Sequence, residues 1–134
     1  MAPHPTRVLV VDDNEDAAIM ACTLLDVLDY SAKHAFSASE AIDLAADFQP
    51  HVIFLDLSMP IMSGLAAAPL LRARCEHPVH IVALSALSLD LMREQTLRGG
   101  FNGHLVKPAP LEELVAAIEG WRATNQVQSL LHAV

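Results

Sequence analysis

The chain has 134 residues, 53% of them apolar and 18% charged, enough apolar length for one buried core without staples and too little charge for a disordered chain. Eight Lys and Arg against 16 Asp and Glu give a net charge of −8, which disfavours broad attraction to nucleic acid or to an anionic membrane. Cys22 and Cys75 form no C-x-x-C pair, Met1 to Thr6 lack the apolar core of a signal peptide, and no apolar run approaches the roughly 18 residues of a membrane span, so the sequence reads as one soluble, cytoplasmic domain.

In chain order, Arg7-Val8-Leu9-Val10-Val11 is a branched apolar run that predicts a strand buried on both faces. Asn14 is placed to cap a helix whose apolar members are Ala17, Ala18, Ala21, Leu24, Leu25 and Leu28. Ser31 to Ala35 predicts a polar, hence edge, strand. Ser37-Ala38-Ser39-Glu40 fits a capping box and opens a second helix, which Gln49-Pro50 stops. His51 to Leu55 is the third strand. Gly64 to Arg74 is the third helix, with Pro69 removing one backbone donor and bending the first turns. His80 to Leu84 is the fourth strand, and Leu89 to Arg98 the fourth helix, closed by Gly99-Gly100. Leu105-Val106 falls in a short fifth strand. The last helix starts near Leu111 and carries Leu114, Val115, Ile118 and Trp121 on one face. Strands and helices in alternation predict an α/β, doubly wound parallel sheet of five strands and five helices. Residues 1–124 form this domain, and 125–134 remain as a short C-terminal tail.

In an open parallel sheet, ligands bind beyond the carboxyl ends of the strands. Asp12 and Asp13 follow the first strand, Asp56 the third, Ser85 the fourth and Lys107 the fifth. Each alone is unremarkable, because such an acid is commonly a helix cap, such a Ser a turn residue and such a Lys solvated. Together they place three carboxylates on one rim. Two unit charges 4 Å apart repel by about 1 kcal/mol in water and about 4 kcal/mol at an effective dielectric near 20. A hard cation relieves that repulsion, and an open all-oxygen site suits Mg²⁺. With the ammonium of Lys107 and the hydroxyl of Ser85, the group is equipped for phosphoryl transfer to Asp56 as an acyl phosphate.

The runs Val11-Asp12-Asp13-Asn14, Leu55-Asp56-Leu57-Ser58-Met59-Pro60 with Gly64, Ala83-Leu84-Ser85-Ala86 and Leu105-Val106-Lys107-Pro108 resemble the receiver domain of two-component response regulators over roughly residues 6–123. Gly99 to His104 is similar to receivers of hybrid sensor kinases. The resemblance implies a flavodoxin-like strand order 2-1-3-4-5. It implies that Asp56 takes phosphate from a phosphohistidine on a sensor histidine kinase or histidine phosphotransfer protein. It further implies that Asp12, Asp13, Asp56 and the Ser58 carbonyl hold Mg²⁺, that Ser85 is the switch hydroxyl, and that Lys107, joined to Pro108 by a cis bond, pairs with the phosphoryl group. Such a chain catalyses its own phosphorylation and a slow dephosphorylation without turning over an external substrate.

His104 stands where the family usually has a switch Tyr or Phe, and its imidazole makes burial there pH-sensitive. Leu87 cannot orient a hydrolytic water, so a long-lived phosphate is expected. The usual output face comprises the fourth helix, fifth strand and fifth helix, with Asp90, Arg93, Glu94, Arg98, Glu112, Glu113 and Glu119 on it.

Rival readings fare worse. A haloacid-dehalogenase-type phosphatase needs Asp-x-Asp, and Asp12-Asp13-Asn14 has no acid at the third place. A flavin phosphate would be repelled by Asp12, Asp13, Glu15 and Asp16, and no G-x-x-x-x-G-K-[ST] run occurs. A module independent of phosphate would not need every catalytic position filled. The expectation is therefore a stand-alone receiver acting through protein partners, with a receiver cut from a hybrid kinase as the alternative.

Overall fold

The computed structural model describes residues 5–86, 96 and 98–132. They form β1 (Arg7–Val11), α1 (Glu15–Val27), β2 (Ser31–Ala35), α2 (Ala38–Phe48), β3 (Val52–Asp56), α3 (Gly64–Arg74), β4 (His80–Ser85), β5 (Gly103–Val106) and α4 (Leu111–His132). The helix expected over Leu89 to Arg98 lies largely outside the described residues, as do Leu87, Asp90, Arg93 and Glu94. Four helices are therefore described where the sequence predicts five. Residues 125–132, set apart in the sequence as a tail, continue α4. Among the described residues no helix is long and apolar enough to cross a membrane.

All five strands run parallel in the order β2-β1-β3-β4-β5, which leaves the polar β2 at an edge. The register pairs Val11 with both Ala35 and Leu55, Asp56 with Leu84, and Ser85 with Val106. Apolar residues run without a break in β1 and β3 because each strand serves two cores. Leu9, Val11, Ile53 and Leu55 pack with Ala41, Ala45, Ala67, Ala68 and Leu71 of α2 and α3. Val8, Val10, Val52 and Phe54 pack with Ala18, Cys22 and Leu25 of α1 and with Leu114 and Ile118 of α4. Helices on both faces follow from right-handed crossovers between parallel strands.

Local chemistry sets the helix ends. Asn14, Ser37 and Ser63 accept the backbone N–H of Ala17, Glu40 and Ala66 at 3.1, 3.1 and 3.3 Å. The predicted capping box is half formed, because the Glu40 carboxylate accepts from Phe36 N at 3.3 Å. Pro69 lies past the first turn of α3, so its missing N–H leaves one i→i−4 bond unmade. Gln49 ends α2 at φ 51°. Its Nε2 donates to the carbonyls of Ala46 and Arg74, both at 2.9 Å, and its Oε1 accepts Glu76 N at 2.8 Å. One amide thereby joins the far ends of α2 and α3.

The apolar periodicity of α1 is wider than its buried stripe. Ala18, Cys22 and Leu25 are buried, whereas Met20, Leu24, Val27 and Leu28 are exposed. The sheet beneath is covered by one row of side chains at i, i+4 and i+7, so the adjoining apolar row has nothing under it.

Candidate functional site

Parallel pairing brings the strand tips to one edge, and backbone bonds fix their spacing. Asp12 N donates to Ala35 O at 3.1 Å, Leu57 N to Leu84 O at 3.0 Å, and Lys107 N to Ser85 O at 2.7 Å. Asp12, Asp56 and Ser85 are buried there and Asp13 is exposed. Each buried carboxylate is oriented by a backbone N–H two residues on: Asn14 N donates to Asp12 Oδ1 and Ser58 N to Asp56 Oδ1, both at 2.9 Å. The sequence-predicted carboxylates meet as expected, with one oxygen each from Asp12, Asp13 and Asp56 lying within 4.8 Å of one another.

Lys107 reaches into this group. Its Nζ lies 3.0 Å from Asp12 Oδ2 and 3.3 Å from Asp56 Oδ2. Partial burial pulls the ammonium pKa down, but the hydrogen bond and charge of Asp12, and then those of Asp56, outweigh it and hold the pKa above its ordinary value. One ammonium against three carboxylates still leaves the cluster anionic. Two of the acids are out of water, where unrelieved charge is costly. The donor set is entirely oxygen, the third carboxylate is open to solvent, and the residues fit a hard divalent cation that retains waters.

The bond between Lys107 and Pro108 is cis. A cleft of about 410 Å³ beside the carboxylates is bounded by Asn14 and Ala17 on one side and by Ala86, Lys107 and Pro108 on the other. Gly64, quoted in the sequence only as part of a motif, has a geometric role. It opens α3 directly beneath β3, and a Cβ there would collide with the Asp56 carbonyl oxygen and lie 2.9 Å from Leu57 Cα. A lone Gly at a predicted helix start close behind a strand-end Asp was the available signal.

His104 stands on β5 opposite Ala83. Among the described residues neither of its buried ring nitrogens has a hydrogen-bond partner, and burial pushes its pKa below the ordinary 6.5. Burial thus disfavours the charged ring.

Residues 8–119 match the family model of the response regulator receiver domain. The transcriptional regulatory protein PrrA of Mycobacterium leprae is 35% identical over 113 residues, which cover 84% of this chain and 48% of that protein, so the chain spans about half the length of the curated relative. The co-crystal structure of the Saccharomyces cerevisiae histidine phosphotransfer signalling protein with the receiver domain of its downstream response regulator is similar at a TM-score of 0.80 and 30% identity, over 90% of this chain and 91% of the matched chain. The receiver domain of a sensor histidine kinase from Pseudomonas aeruginosa, with a magnesium ion coordinated in its active-site cleft, is similar at a TM-score of 0.76 and 28% identity, over 87% of this chain and 97% of that one.

Proposed function

Because the chain belongs to the response regulator receiver domain family, we propose that it receives a phosphoryl group from a phosphohistidine on Asp56 and passes the signal on through protein contacts. The observation that carries this reading is the convergence of two buried carboxylates, a third at the surface and the Lys107 ammonium on one sheet edge. A lone pair of the Asp56 carboxylate attacks phosphorus. The N–P bond of the phosphoimidazole breaks, and the imidazole leaves with the bonding pair and takes up a proton. The Ser58 N–H holds Asp56 Oδ1 in place through the attack, and Lys107, already 3.3 Å from Asp56 Oδ2, neutralises charge that spreads over the phosphoryl oxygens. Asp12, Asp13 and Asp56, with the Ser58 carbonyl, would hold Mg²⁺, which when bound supplies the further positive charge that a transferring phosphoryl group needs.

Ser85, buried at the tip of β4, would offer its hydroxyl to the new phosphoryl oxygen. His104 on the adjacent strand is the second switch residue. The structural neighbour solved with a histidine phosphotransfer protein supports a donor of that kind or a sensor histidine kinase, and the magnesium-bound neighbour supports the ion. The response leaves through the face that β5 shares with α4, where Val106, Glu112 and Glu113 are exposed; Glu119, expected on the same face, instead accepts the Tyr30 hydroxyl at 2.6 Å, at the turn between α1 and β2.

The test is transfer from a ³²P-labelled phosphohistidine protein to wild type and to Asp56→Asn. Label should pass to the wild type and not to the variant, whose melting temperature should stay within a few degrees. Undiminished label on Asp56→Asn would place the acceptor elsewhere.

A further inference from the structure

Ile61 lies in the loop between β3 and α3, five positions after the acceptor, in a conformation that its side chain resists. Its φ is +70°, the left-handed region in which a β-branched residue is a genuine outlier. Its side chain is also fully exposed, at 109% relative exposure. Neither property helps the free protein. Glycine or asparagine would make the same turn with less crowding, and the apolar surface gains nothing in water.

The turn does not depend on Ile61 for its shape. Met59 is buried and Met62 packs against the core between α2 and α3. Met62 N donates to Pro60 O at 2.8 Å, Ser63 caps α3, and Gly64 N donates to Leu57 O at 3.2 Å. These neighbours fix the loop on both sides and project Ile61 outward. A strained, outward apolar side chain beside a reaction centre is best explained by something that covers it.

The chemistry at Asp56 limits what that is. A phosphohistidine must bring its phosphorus to the Asp56 carboxylate, so the protein carrying it sits over this rim. A standard interface takes about 800 Å² from each partner, a disc of roughly 16 Å radius. Five residues span at most about 17 Å when extended, and the reversal at Pro60–Met62 keeps Ile61 well inside that disc. A small phosphodonor occupies only the cleft and does not reach the loop.

We propose that Ile61 is a specificity-determining contact for the protein phosphodonor, an apolar anchor that enters an apolar depression beside the donor's phosphohistidine. This rests on Asp56 being the acceptor. The strain is retained because a β-branched side chain at this φ has few alternative orientations, so the anchor is held ready.

The test compares wild type, Ile61→Gly, Ile61→Asn and Ile61→Leu with two donors. One is acetyl phosphate. The other is whichever autophosphorylated sensor kinase of the same genome transfers fastest to the wild type. With the kinase, Ile61→Gly and Ile61→Asn should lose tenfold or more in kcat/KM, chiefly through KM, while Ile61→Leu stays within about threefold. With acetyl phosphate all four should label within about twofold of one another, and the melting temperature of Ile61→Gly should be no lower than that of wild type.

Equal losses with both donors would make Ile61 a shaper of the acceptor loop and overturn the proposal, as would undiminished transfer from the kinase. Self-association of the wild type that Ile61→Gly abolishes, with transfer intact, would assign the residue to a second copy of this chain. A wild type that acetyl phosphate and every kinase leave unlabelled would sink the acceptor reading first, and this one with it.

Discussion

Lys107 makes the local balance of the site visible in a single side chain. It stands between two buried carboxylates and, among the described residues, is the cation that offsets them. Lys107→Ala should lower stability by about 1–3 kcal/mol, since it strands buried charge. Its melting temperature should still rise when Mg²⁺ is added, while phosphoryl labelling falls on the order of 10²-fold; normal labelling would remove Lys107 from the chemistry. His51 carries the opposite kind of information, at the other end of the sheet. Its Nδ1 accepts the Arg7 N–H at 2.9 Å, and its ring lies 5.5 Å from that of His77 and 5.2 Å from that of Trp121. Burial first, then the charges of Arg7 and His77, push its pKa down from 6.5 to about 4. The unfolded chain therefore binds the proton more readily. The contribution is fully present above about pH 6.5 and is lost as the pH falls towards 4. Thermal melts across that window should show a slope in wild type that is shallower in His51→Gln; identical slopes would show that His51 does not titrate as its surroundings dictate.

At the scale of elements, the site depends on how closely α3 approaches β3. Gly64 allows its helix to begin against the Asp56 carbonyl, and that contact sets where the loop from Leu57 to Ser63 can run. Gly64→Ala should cost about 1–3 kcal/mol through overpacking and, because the displaced atoms are the backbone of Asp56, the proposed acceptor, should also slow labelling by acetyl phosphate. A loss of stability with unchanged labelling would separate the helix contact from the site. Most elements were legible because each carries one dominant signal: branched apolar runs for β1 and β3, and Asn14 and Ser37 at helix starts. Others were not. The apolar residues of α1 marked a helix but not which row is buried, because the row beneath the helix and the row beside it are equally apolar, and only packing against the sheet separates Ala18, Cys22 and Leu25 from Met20 and Leu24. The continuation of α4 through residue 132 carries no breaker that would have stopped it, and its described side chains from Ala123 onward are exposed, so no apolar stripe announced it.

For the molecule as a whole, the topology does the work that no local signal could. Residues as distant in sequence as Asp12 and Lys107 come within 3.0 Å because every strand of a parallel sheet delivers its end to the same edge. That is why the site was readable from strand-end positions once the alternation of strands and helices was recognised, and why the left-handed backbone of Ile61 was not: nothing in Met59-Pro60-Ile61-Met62 distinguishes a strained turn from an ordinary one. In a chain of net charge −8, Asp12, Asp13 and Asp56 meet at one point, so a divalent cation should govern both stability and chemistry there. The most direct measurement is labelling by acetyl phosphate across a Mg²⁺ titration, with the modified residue trapped by borohydride and located by peptide mass spectrometry. The account predicts label on the Asp56 peptide alone, rising saturably with Mg²⁺ and abolished by chelator; label that ignores the metal, or that maps to another residue, would contradict it.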